Sequence, residues 1–261
     1  MRKIGINMIG VPGVSDEEIL RMTAERGFQT IFTGMMDEAR QLHCAGLMAR
    51  FDLEYETIHA PFGHINDIWL EGEGGDAMLK ELADCVDRCA QVGAPIAVVH
   101  LSSGNNPPSI TDLGRARWER LAEHAQRRGV KIAFENQRKL ANLAWAMENF
   151  AAEDSVGFCW DCGHEACFAS GREYMPLFGD RLICTHIHDN EGVYNKDDHW
   201  IPFDGNISFE RFAEHIRRSG YEGSLMLELA YKRPRYEDLS AEAYLERAAE
   251  AAKRLVRMVD E

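Results

Sequence analysis

RLICTHIHDNEG, residues 181–192, is the stretch on which the fold turns. Its apolar run, Leu182-Ile183-Cys184, leads straight into two histidines two positions apart and then an acid. On a strand, side chains at i and i+2 point the same way, so His186 and His188 share a face. Either the strand has a polar end whose histidines are absorbed in hydrogen bonds, or one of them holds a metal. The segment alone leaves both readings open.

Working outward, the same grammar recurs. KIGINMIG (3–10) precedes SDEEILRMTAERG (15–27), which carries a Ser N-cap, early acids and a closing Gly. TIFTG (30–34), YETIHAPF (55–62), PIAVVHLS (95–102) and KIAFEN (131–136) read as further strands, as do VGFCWDCGH (156–164) and SLMLEL (224–229). Helical patterns follow them, near 37–51, 76–92, 111–129, 140–150, 207–219 and 240–259; the one after the sixth strand is short and poorly marked. Eight strand-helix units in 261 residues suit a parallel α/β barrel, the (β/α)8 or TIM barrel, as one domain over 1–261. The alternative is a doubly wound open sheet, which would place a phosphate-binding glycine fingerprint after the first strand; GVPGV (10–14) is not one.

In such a barrel, chemistry gathers at the C-terminal strand ends. Those ends carry His59, His100, Glu135, Asp161 with His164 three residues on, His186 with His188, and Glu228, while the next loop adds Asp197 and His199. Any one of these alone reads as a hydrogen-bonded structural group. Together they form a set of zinc- or manganese-type ligands at one mouth. Four carboxylates crowded there repel one another, a cost that a divalent cation removes. Glu135, Asp161 and Glu228 with one histidine of THIHDNEG make a four-residue site, leaving the other histidine for substrate or a second ion.

Composition excludes several classes. Lys and Arg number 29 against 43 Asp and Glu, a formal charge of −14, which argues against a nucleic-acid partner because such affinity comes from neutralising phosphates. The dense basic positions, Arg115, Arg117, Arg120, Arg127, Arg128 and Lys131, fall on and just after one helix and read as a solvated face. No apolar run reaches the roughly 20 residues of a membrane span, and MRKIGINMIGVPG reads as a strand and loop without a small-residue cleavage site. Seven scattered cysteines suggest a reducing cytoplasm; Cys159-x-x-Cys162 has redox or zinc spacing but no second pair.

Read in order, HAPF (59–62), FEN (134–136), DCGH (161–164), HIHDN (186–190), DDH (197–199), GNISF (205–209) and LEL (227–229) resemble the xylose-isomerase-like TIM barrels over nearly the whole chain. That superfamily includes sugar and sugar-phosphate isomerases and epimerases, inosose-processing enzymes and endonuclease IV. The resemblance implies one divalent ion, manganese, zinc, magnesium or cobalt, held by Glu135, Asp161, His186 and Glu228. His186 is preferred to His188 because the family's H-x-x-D pattern matches His186 through Asp189. The additional zinc ligands of endonuclease IV-like members resemble His59, His100, His164, Asp197 and His199, positions that small-molecule members keep for substrate.

The resemblance implies a metal-dependent isomerase or epimerase of a small sugar, sugar phosphate or cyclic polyol. It would work by proton transfer through an ene-diolate, with Glu135 and Glu228 as acid and base. His164 and His188 then bind substrate hydroxyls, His59, His100 and His199 line the pocket, and Arg138 orients an oxygen or phosphate. Trp69 is a further candidate to pack a sugar face, while Trp160 reads as core. The alternatives are an endonuclease IV-like zinc phosphodiesterase and an inosose-type dehydratase. The sequence leaves a homo-oligomer open.

Overall fold

The computed structural model describes residues 2–151, 155–231 and 234–261. Eight parallel strands, β1 (Ile4–Asn7), β2 (Thr30–Gly34), β3 (Glu54–His59), β4 (Ile96–His100), β5 (Lys131–Glu135), β6 (Val156–Asp161), β7 (Leu182–His186) and β8 (Leu225–Leu227), run in the order β7-β6-β5-β4-β3-β2-β1-β8. The two ends of that order meet. Ile187 bridges Leu227 in parallel, its N–H donating to the Met226 carbonyl at 2.9 Å while the Glu228 N–H donates back to it at 3.0 Å. The result is an α/β barrel with helices outside. No described helix is long and apolar enough to cross a membrane.

The helices are α1 (Asp16–Glu25), α2 (Glu38–Arg50), α3 (Glu73–Val92), α4 (Asp112–Arg128), α5 (Leu140–Asn149), α6 (Cys162–Phe168), α7 (Met175–Phe178), α8 (Phe209–Ser219) and α9 (Ala241–Asp260). Local chemistry sets their ends. Ser15 opens α1 with a reciprocal capping box to Glu18, and Gly220 closes α8 in the left-handed region. On α8 the buried Phe209, Phe212, Ala213 and Ile216 recur at helical spacing and lay one apolar face on the barrel. There Phe212 stacks on Trp160 of β6 at 5.0 Å.

Strand alternation aims the site. Inside the barrel, Ile96, Val98, Ala133, Cys159 and Cys184 pack into one small apolar plug. Two residues beyond Val98, Ala133, Cys159 and Cys184 come His100, Glu135, Asp161 and His186, so period two turns all four polar side chains inward above the plug. Small residues below leave room for large polar groups above.

Four expectations from the sequence need correction. Strand β7 stops at His186 rather than Asp189, and β8 covers only Leu225–Leu227; beyond them pairing is reduced to single bridges, Ile187 to Leu227 and, antiparallel, Asp189 to Trp200. Arg117 is not part of a solvated face. It is buried, and its guanidinium donates to the Ile68 and Leu70 carbonyls at 3.1 and 2.6 Å, spending the basic charge on pinning the turn at 65–72. Trp69 is core, packed on Trp145 and Trp118 with its indole N–H donating to the Leu101 carbonyl at 2.6 Å, and faces no sugar. Cys159 belongs to the interior plug, whereas the Cys162 thiol donates to the His188 carbonyl. Among the described residues no ligand-type group contains both cysteines.

Candidate metal centre at the barrel mouth

Glu135, Asp161, His186 and Glu228 arrive from four strands with ligand atoms all within 4.8 Å of one another. His186 Nδ1 lies 2.7 Å from Glu135 Oε1 and 3.4 Å from Glu228 Oε2, so the two glutamates approach one imidazole nitrogen. Burial alone would push His186 down, but the charges of Glu228 and Glu135 overcome it and hold it well above the ordinary value. Burial likewise works to raise Glu135 and Glu228. The His186 charge outweighs it in both, aided by His100 at Glu135, and both carboxyls fall below their usual range. Protons on histidine thus do here what a cation can do: they neutralise packed carboxylates.

A second group stands beside the first. His164, His188, Asp197 and His199 also bring ligand atoms within 4.8 Å of one another. Asp197 accepts from both sides, Oδ2 lying 3.3 Å from His164 Nε2 and 3.1 Å from His199 Nε2. Burial opposes protonation of both rings, but the surrounding carboxylates lift His164 to about 10 and His199 to about 9. Asp197, against its own burial, is held far below the carboxylate range by the same two histidines.

The loop carrying Asp197 and His199 is held by Asp189, the acid of the opening motif. Its carboxylate accepts from the backbone N–H of Asn190, Gly205 and Ile207 at 2.8, 2.8 and 3.1 Å. His199 sits in the left-handed region (φ 51°), a conformation uncommon for a side-chain-bearing residue and retained where the surroundings enforce it. The glycine of DCGH has a packing reason: a Cβ on Gly163 would fall 1.9 Å from the His188 ring.

A third group, His59, His100 and Glu135, shares a carboxylate with the first. His100 Nε2 lies 2.6 Å and His59 Nε2 3.2 Å from Glu135 Oε2. The donor sets fit a divalent cation on three counts: they mix carboxylate and imidazole, they are buried, and they contain orphans. Asp161 Oδ2, His186 Nε2 and both His188 ring nitrogens are buried without hydrogen-bond partners, a cost that coordination of at least Asp161 and His188 removes.

Every predicted strand-end and loop ligand therefore reaches the mouth, distributed over three groups. Arg138 lines the same cavity, of about 370 Å³, together with Phe168. Sequence reasoning missed Gln137, next to the quoted FEN. Its amide lies 3.2 Å from His100 Nε2 and 3.0 Å from His164 Nδ1, tying the groups together. It gave no role to Asn136, the last residue of that motif, whose side chain bonds the Asp161 backbone in both directions at 2.8 Å. A second lobe of about 490 Å³, lined by Met8, Met35, Pro61 and Phe62, shares His59, Phe62 and Glu228 with the first. Nothing in the sequence marks these loop residues as neighbours. A smaller cavity of about 240 Å³ lies outside the barrel, between α6 and α8, and holds none of the ligand groups.

A family model described as xylose isomerase-like TIM barrel matches residues 20–257. The uncharacterized protein y4fM of Sinorhizobium fredii is 33% identical over 192 residues, 68% of this chain and 60% of that relative's length. The fold is similar to a solved D-tagatose 3-epimerase-like protein, with TM-score 0.74 and 19% identity over 99% of this chain and 98% of that one. It is also similar to 3-keto-D-glucoside 4-epimerase from E. coli, with TM-score 0.74 and 19% identity over 96% and 100% of the two chains.

Proposed function

The chain belongs to the xylose isomerase-like TIM-barrel family, and from that premise we propose that it is a divalent-metal-dependent isomerase or epimerase of a small sugar-type substrate. Two structural neighbours carry epimerase names, a D-tagatose 3-epimerase-like protein and a 3-keto-D-glucoside 4-epimerase, which supports the reaction class. The observation that carries the reading is the pair of buried glutamates, Glu135 and Glu228, meeting across His186 Nδ1 at 2.7 and 3.4 Å. Manganese, zinc, magnesium or cobalt would be held by Glu135, Asp161, His186 and Glu228. When bound, such an ion supplies Lewis acidity that stabilises negative charge developing on a substrate oxygen.

The remaining chemistry belongs to the chain. Both glutamates are held ionised, so each is available at neutral pH to accept a proton from the carbon next to the substrate carbonyl. Their origin on β5 and β8 brings them to the reacting carbon from different sides of the mouth. One removes the proton, and the same or the other glutamate returns it. Gln137 holds His100 and His164 in fixed orientation. The rings of His164 and His199 are engaged by Asp197 and by neighbouring carbonyl and amide groups, while His188 keeps both nitrogens without hydrogen-bond partners for a substrate hydroxyl or an ion. A cytoplasmic, reducing setting is in keeping with seven unbridged, buried cysteines.

The reading is tested in heavy water with a panel of ketoses. Solvent deuterium should enter the carbon beside the carbonyl, and chelation should stop it. Turnover with no deuterium incorporated at any extent of reaction contradicts the proton-transfer route.

One observation favours a second reading, metal-dependent phosphodiester hydrolysis: the adjoining ligand groups suit clustered ions that activate water. The charge of −14 weighs against a DNA substrate. Incision of abasic-site duplex DNA, abolished by chelation, would reverse the order of the two.

A further inference from the structure

We infer that the substrate carries an anionic group, a phosphate ester or a carboxylate, which Arg138 holds at the α5–α6 end of the mouth. This rests on the sugar-isomerase reading above and names the substrate class of that site. Arg138 lines the 370 Å³ cavity with Glu135, Asp197 and Glu228, yet among the described residues it forms no ion pair with any carboxylate. An arginine amid acids, in a chain of charge −14, normally finds one. What holds it instead is packing. Its guanidinium carbon lies 3.5 Å over the Phe168 ring, its Nε donates to Asn195 Oδ1 at 3.0 Å, and Phe168 is layered on His164 at 5.0 Å.

Stacking and the Nε bond fix the plane of the guanidinium and leave its two terminal nitrogens without a partner among the described residues. That edge is the fork which matches a carboxylate or phosphate in a bidentate pair. Because the group is already anchored, little side-chain freedom is lost when an anion binds. Ser103, whose backbone N–H is taken by Asn66 Oδ1 at 3.0 Å, lines the same cavity and offers a hydroxyl. The mouth also has a direction. Among the described residues the other lobe presents Met8, Met35, Pro61 and Phe62 and neither lysine nor arginine, which puts the described cationic partner for an anionic end on the Arg138 side.

The test uses manganese-loaded protein and two matched ketose sets: D-fructose, D-fructose 6-phosphate and D-fructuronate, and D-ribulose with D-ribulose 5-phosphate. Calorimetry should show an anionic member binding at least about tenfold tighter than its neutral counterpart, the scale of a charge-assisted pair. Preference for the phosphate or the carboxylate member identifies the source. Arg138→Gln should erase the gap, weakening the anionic member far more than the neutral one, and Arg138→Lys should restore part of it. Equal binding of neutral and anionic members, a gap that survives in Arg138→Gln, or no anionic member bound by the wild type overturns the inference. Deuterium exchange in the same samples separates the two readings: Arg138-dependent binding without exchange removes the isomerase and keeps the anion site, and exchange indifferent to Arg138 does the reverse.

Discussion

Two of the ligand groups at the mouth are built from similar side chains on different supports. Glu135, Asp161, His186 and Glu228 stand at or one residue beyond the ends of β5, β6, β7 and β8, fixed by the ladder and the interior plug. His188, Asp197 and His199 stand on the segment between β7 and α8, with His164 on the short α6. That segment keeps its shape through Asp189 and a left-handed His199. A strand end fixes a ligand by hydrogen bonds it would make anyway. A loop has to be organised for the purpose. The strand-borne group should therefore behave as the invariant part of the chemistry, and the loop-borne group as the part that shapes what is bound.

The largest expected effect comes from the strand-borne glutamates. Glu135→Gln or Glu228→Gln keeps size and one ligand oxygen but removes the proton carrier, so turnover should fall by about 10²–10⁴-fold at saturating metal. Occupancy must be measured in parallel by elemental analysis. An unchanged rate with metal bound would leave the strand-borne group without a chemical role. Less severe, Asp197→Asn in the loop-borne group should cost about 10–100-fold and leave one tightly held ion in place. Loss of all metal from that variant would show that the two groups are a single unit.

The same contrast explains what could be read from the sequence. Barrel, strand count and the inward-facing polar residues at the strand ends were legible because period-two alternation makes Ala133-x-Glu135 and Cys159-x-Asp161 point inward together. Asp197 and His199 were noticed as ligand-type residues on the loop beyond β7, but no periodicity places a loop residue, and their likeness to additional metal ligands came from the family resemblance. Gln137 was missed, and Asn136 left without a role, although they directly follow Glu135, because a neutral amide gives no charge pattern to notice. Arg117 misled because the other arginines of α4 are exposed and its own burial depends on a distant turn. Trp69 misled for the same reason: whether an indole meets a sugar or a core is decided by tertiary contacts.

Smaller effects sharpen the comparison further. Gly163→Ala pushes on the His188 ring, so it should destabilise the fold by about 1–3 kcal/mol, as overpacking does. It should also disturb the loop-borne group while the strand-borne ion stays. A thermal melt with metal analysis checks both, and a variant as stable as the wild type with both groups intact would contradict the Gly163–His188 contact.

The smallest effect is in pH. In ion-free protein, His164 and His199 are raised to about 10 and 9, so their stabilisation is complete below the ordinary histidine value and is lost as pH climbs through those figures. Asp197 and Glu228 are lowered, so theirs is complete above the ordinary carboxylate value and is lost as pH falls through the folded one. Ion-free protein should thus melt highest between roughly pH 5 and 6.5. Since cations displace those histidine protons, the rise in melting temperature on adding manganese should be greater at pH 8.5 than at pH 5.5. A greater rise at the acid end would show that the histidine protons do not compete with the ion.

The account rests most heavily on a cation held by Glu135, Asp161, His186 and Glu228. Chelator-stripped wild-type protein and Asp161→Asn should each be titrated with manganese, cobalt, magnesium and zinc by calorimetry, with bound metal counted afterwards. The wild type should take up at least one ion tightly, and Asp161→Asn should lose that ion while remaining folded. A wild type that binds none of the four metals, or an Asp161→Asn variant that binds as well as the wild type, would contradict the claim.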